Sequence, residues 1–104
     1  MQALHQQLHD NLQLIHRKAI DADAAIDSLQ QQGKGKFTTI FDGQSGFSTE
    51  ARRFGPYVKE LATNIEALKS ADEAALSQQL PLVVKQIELL FKTLQEFKVS
   101  VKAP

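Results

Sequence analysis

The chain is 104 residues long, 42% hydrophobic and 23% charged, which suits one soluble globular domain over residues 1–104 with a modest core. Twelve Lys and Arg balance twelve Asp and Glu, so there is no bulk positive charge with which to coat nucleic acid. Cysteine is absent, which excludes disulfides, thiolate catalysis, Cys-ligated zinc and iron–sulfur clusters.

The first residues, Met1 to Gln6, are polar, with no basic stretch leading into an apolar run. No apolar run approaches the length of a membrane span. A cytoplasmic protein without membrane contact is therefore expected. Leu4, Leu8, Leu12, Ile15, Ala19, Ala22, Ile26 and Leu29 then advance by threes and fours. That spacing lays one apolar stripe along a helix. Gly33 accepts a left-handed cap and is a natural stop, so the first helix is placed at about residues 2–32.

Residues 33–46 contain four glycines and read as a loop. Phe37, Ile40 and Phe41 are too apolar to hang free, so this loop is expected to tuck against the bundle as a helical turn or packed coil. A second stripe follows: Phe47, Ala51, Phe54, Val58, Leu61, Ile65 and Leu68. Ser48 serves as its N-cap, with Glu50 in the first turn. The stripe keeps its phase through Gly55-Pro56, so the expectation is one long helix kinked there.

Ser70-Ala71-Asp72-Glu73 has the form of a capping box and predicts a short helix ending near Leu80. Pro81 then suits the first turn of a new helix, whose stripe is Val83, Ile87, Leu90, Leu94, Phe97 and Val101. Val84 and Phe91 widen that stripe, while Leu82 and Leu89 lie off it and offer apolar surface to a partner. The predicted fold is all-α: an antiparallel bundle of three long helices plus one short helix.

Candidate chemistry is sparse. His5, His9 and His16 share a face of the first helix, but no Glu-x-x-His accompanies them, so they read as a solvated strip and no metal is expected. His16 invites comparison with phosphotransfer histidines, yet its basic neighbours Arg17 and Lys18 are too close in sequence and Ile20 fills a place that should be small. Gly33-Lys34-Gly35-Lys36 lacks the spacing and the strand–helix setting of a P-loop. No serine sits in a nucleophile-elbow context. Asp21, Asp23 and Asp27 oppose the dipole of the helix whose end they approach, and read as a solvated acidic face. The pattern implies no catalytic residue, no cofactor and no enzyme.

Basic groups remain. Arg52 and Lys59 are seven apart on one helix face, Arg53 is adjacent, and Lys34 and Lys36 lie in the preceding loop. Such a cluster suits an acidic peptide or a few phosphates. The partner-binding candidates are thus Arg52, Arg53, Lys59, Lys34 and Lys36, with Leu82 and Leu89 as the apolar surface.

The middle and end of the chain resemble the N-terminal domain of the primosomal replication protein N″ (PriC) family. Phe41-Asp42, followed by Phe47, is similar to its FD-x-x-[LF]-F segment. Glu60-Leu61-Ala62-Thr63-Asn64-Ile65-Glu66-Ala67-Leu68 resembles its E-A-x-x-N-L-x-x-L helix. Gln78-Gln79-Leu80-Pro81, then Lys85-Gln86-Ile87-Glu88-Leu89-Leu90, resembles its L-P turn and Q-[LI]-E helix. The chain departs from the family at the Gly43–Gly46 insert and at Gly55-Pro56, and the family's basic C-terminal region is not among these 104 residues.

The resemblance implies a non-enzymatic adaptor in DNA replication restart. Its partners would be single-stranded-DNA-binding protein, the replicative helicase it helps to load, and forked or single-stranded DNA. The alternative expectation is a cytoplasmic helical chaperone or self-associating interaction module, a homodimer included, working through Leu82 and Leu89.

Overall fold

The computed structural model describes residues 2–33, 40 and 46–102. Three helices follow in order: α1 (Gln2–Gln31), α2 (Gly55–Leu68) and α3 (Glu73–Lys102). Among the described residues there is no strand, so the all-α expectation is met. Each helix packs on the other two, in a bundle measuring 49 × 25 × 17 Å. α1 and α3 have 30 residues each and α2 only 14, so α2 spans about half their length.

α1 forms where its stripe predicts. It buries Leu8, Ile15, Ala19, Ala22 and Ile26, and ends at Gly33, whose φ of 70° provides the left-handed cap. α2 contributes Tyr57, Val58, Leu61, Ile65 and Leu68, and α3 contributes Val83, Ile87, Leu90 and Leu94. These side chains, with Phe47 and Phe54, form one continuous core.

Two expectations about the helices are overturned. The second stripe is not one kinked helix. Residues 46–54 are non-helical, and α2 begins at Gly55 with Pro56 in its first turn, where a missing N–H costs nothing. Phe47 and Phe54 are buried all the same, as pegs on a strap rather than as helical residues. The ring of Phe47 meets Tyr57 edge-on at 5.3 Å, and Phe54 meets Phe97 at 5.8 Å.

The short fourth helix is also not separate. α3 runs unbroken from Glu73 to Lys102 with Pro81 inside it. Its N-cap is Asp72, whose Oδ1 accepts the Ala75 N–H at 2.8 Å, and not Ser70, whose hydroxyl donates to the Ala67 carbonyl. Leu76 and Leu80, before the proline, and Leu89 after it all pack half-buried against the core. That burial keeps the helix continuous through a residue that would otherwise break it.

Candidate functional site

The bundle leaves two interhelical grooves with mixed linings. One lies between α1 and α2, with a volume of about 600 Å³. Its floor is apolar: Leu12, Ala19 and Ile20 from α1, Val58 and Ala62 from α2. Arg17 stands on the α1 bank and Lys59 on the α2 bank, with Gln13, His16 and Asp23 alongside. Ile20 is 55% exposed and adds apolar surface at the edge of the groove. Gln13, His16, Arg17 and Ile20 recur by threes and fours, so α1 presents them as one strip.

Asp23 does not oppose this basic rim as a free charge. Its two carboxylate oxygens accept the backbone N–H groups of Phe54 at 2.7 Å and Gly55 at 2.9 Å. These are orphan donors at the start of α2, which has no side-chain cap of its own. A carboxylate from α1 therefore caps α2 from outside and sits at the positive end of its dipole. Asp27 has a related role. It accepts the guanidinium of Arg53 at 2.8–2.9 Å, and Arg53 also donates to Gln30 Oε1 and to the Arg52 carbonyl. Asp23 and Asp27 are thus docking points for the strap, while Asp21 stays on the exposed face.

The strap is held at its other end by a polar cluster. Glu60 accepts the backbone N–H groups of Ser48 at 2.9 Å and Thr49 at 2.7 Å. Gln86, fully buried on α3, donates to the Gly46 carbonyl at 3.0 Å and accepts from Asn64. Gly46 has φ of 97°, a turn that a side chain would strain. Partial burial pushes the Glu60 carboxyl up, but the hydrogen bonds from Thr49, Ser48 and Gln86 outweigh it and hold the group below its ordinary range. In the middle of the strap the Tyr57 hydroxyl accepts the Ala51 N–H at 2.8 Å and donates to the Ala51 carbonyl at 3.1 Å. The Ala51 carbonyl also accepts the N–H of Ile40.

The basic candidates named from the sequence are dispersed by this arrangement. Lys59 is exposed and lines the α1–α2 groove. Arg53 is tied to α1, and Arg52 is exposed away from the groove lining. Lys34 and Lys36 lie outside the described residues. Leu82 is 44% exposed, as expected, but Leu89 is half-buried against the core and contributes less free surface than its position off the stripe suggested. Arg17 was missed as a site residue, although its spacing from Gln13 and Ile20 was the available signal.

The histidines do not converge on a centre. His5 is half-buried with Nδ1 unpartnered, His9 shares a hydrogen bond with Gln13, and His16 lines the groove. Among the described residues no group of three or more His, Cys, Asp or Glu is placed to hold a metal ion. No helix among them is long and apolar enough to cross a membrane. Comparisons with family models, curated proteins and solved structures give no match.

The second groove lies between α1 and α3 and holds about 470 Å³. Ala22, Ala25, Phe91, Leu94 and Phe97 form its apolar floor, and Lys18, Asp21, Gln95 and Lys98 its rim.

Proposed function

We propose that this chain is a non-enzymatic adaptor of DNA replication restart, which docks replication proteins on its helical faces to help load the replicative helicase. The observation that carries the reading is the α1–α2 groove: an apolar floor between two cations, Arg17 and Lys59, whose one lining carboxylate is already engaged by backbone donors. A groove of that kind suits an acidic peptide with apolar side chains, the apolar groups entering the floor and the carboxylates meeting the rim. The acidic tail of single-stranded-DNA-binding protein has that chemistry. The PriC-like segments around Glu60–Leu68 and Gln78–Leu90 support the same assignment.

The test is fluorescence anisotropy of a labelled acidic-tail peptide, with the replicative helicase and forked DNA titrated in parallel at two salt concentrations. Binding of the peptide in the micromolar range is expected, weakened about tenfold by Lys59→Glu or Arg17→Glu and weakened again by salt. Failure of peptide, helicase and DNA alike to bind withdraws the reading.

A further inference from the structure

The geometry points to a second copy of this chain as the occupant of the α1–α3 face, joined across a two-fold axis. Leu14, Lys18, Asp21 and Ala25 lie at offsets of four, seven and eleven and share one strip of α1. Lys18 and Asp21 rim the α1–α3 groove, and Leu14, one turn earlier, is 46% exposed. On α3, Val84, Glu88, Phe91, Gln95 and Lys98 form the corresponding strip, with Val84 39% exposed. Lys18, Asp21, Glu88 and Lys98 make no hydrogen bond or ion pair within the chain among the described residues.

Each strip is complementary to its own reverse. Set two α1 helices antiparallel about a point between Ala19 and Ile20. Leu14 of one copy then faces Ala25 of the other, a large apolar side chain against a small one, and Lys18 faces Asp21, twice over. Set two α3 helices antiparallel about Thr93. Phe91 then faces Gln95, and Glu88 faces Lys98, again twice.

The two centres lie at the same height in the bundle. The groove is lined by residues 18–25 of α1 and 91–98 of α3. α1 and α3 run the same way, because each is antiparallel to α2: Asp23 meets Phe54, Phe54 meets Phe97 and Asn64 meets Gln86. One axis crossing both helices therefore satisfies both strips at once, as an isologous interface requires. Charge self-complementarity in two helices with one axis is what selects a copy of this chain over an unrelated partner.

The face covers about 17 Å of α1 and about 21 Å of α3 at roughly 10 Å per helix width, on the order of 400 Å² per copy. That is smaller than a stable interface needs, so the dimer is weak and transient, with dissociation on the order of hundreds of micromolar.

Sedimentation velocity of the full chain, from low to high micromolar concentration, reads the dimer fraction directly. Asp21→Lys places like charges opposite each other and raises the dissociation constant about tenfold or more. The double variant Lys18→Asp with Asp21→Lys restores the pairs in reverse and returns the constant to within about threefold of wild type. A second measurement needs no substitution: carbodiimide coupling of an isotopically mixed sample yields a Lys18–Asp21 link between copies. A wild-type monomer at every concentration overturns the proposal. So does a charge swap that fails to restore assembly, or a mixed sample without that link.

Discussion

Asp23 offers the sharpest test of how α2 is held. Its carboxylate accepts the Phe54 and Gly55 N–H groups at 2.7 and 2.9 Å, across a separation of 31–32 residues. α2 has Phe54 at its N-cap position with no side-chain cap, so nothing local replaces Asp23. Asp23→Ala removes a cap worth about 1–2 kcal/mol and a charge–dipole contact worth about 0.5 kcal/mol. One donor, the Phe54 N–H, is part-buried and recovers only part of its hydration. The expected loss is about 2–3 kcal/mol, a fall in Tm on the order of 10–15 °C for a chain of this size. Asp23→Asn keeps one oxygen acceptor without the charge and should fall between alanine and wild type. Asp21→Ala, on the same turn but exposed and unbonded within the chain, is the control at low micromolar concentration, where the chain is monomeric, and should change stability by less than about 0.5 kcal/mol. Urea unfolding followed by helical circular dichroism measures all three. If Asp23→Ala unfolds with the midpoint of Asp21→Ala, the remote cap contributes nothing and the account of the strap is wrong.

Three further outcomes follow from the same framework. Glu60→Gln should cost about 1–2 kcal/mol at neutral pH, because charge-assisted bonds to Ser48 and Thr49 become neutral ones. The folded Glu60 carboxyl is held below the ordinary carboxylate range, so its contribution is present above that range and lost as pH falls through the lowered value. The gap between wild type and Glu60→Gln should therefore close in acid, and a gap independent of pH would refute the role. Tyr57→Phe should cost about 1–2 kcal/mol by thermal melt, since Ala51 loses a donor and an acceptor at once beside a fully buried ring. Pro81→Ala should raise stability by about 1 kcal/mol or more, because an exposed proline inside continuous α3 forfeits a backbone bond; an unchanged midpoint would indicate two helices meeting there.

The site was less legible than the fold. Lys59 could be picked out as a surface cation, but its pairing with Arg17 across a groove required knowing which faces of α1 and α2 meet. Arg53 looked equally free in sequence, and only the approach of Asp27 and Gln30, at separations of 26 and 23 residues, committed it internally. Charge on a helix face states where a group points relative to its own axis, not what stands opposite.

The helical class, the extent of α1 and its stop at Gly33 were written in the chain itself, because periodicity and capping are local and act within a few residues. Phe47 and Phe54 were correctly marked as apolar anchors for the same reason, but not their setting. A stripe in phase across Gly55-Pro56 is compatible with both a bent helix and a strap leading into a new one. The choice fell to Asp23 and Glu60, which supply acceptors to the backbone at Phe54–Gly55 and Ser48–Thr49 from elsewhere in the fold. At Pro81 the decision was likewise tertiary: core packing on both sides of the proline outweighs one missing hydrogen bond, and local sequence carries no measure of that burial.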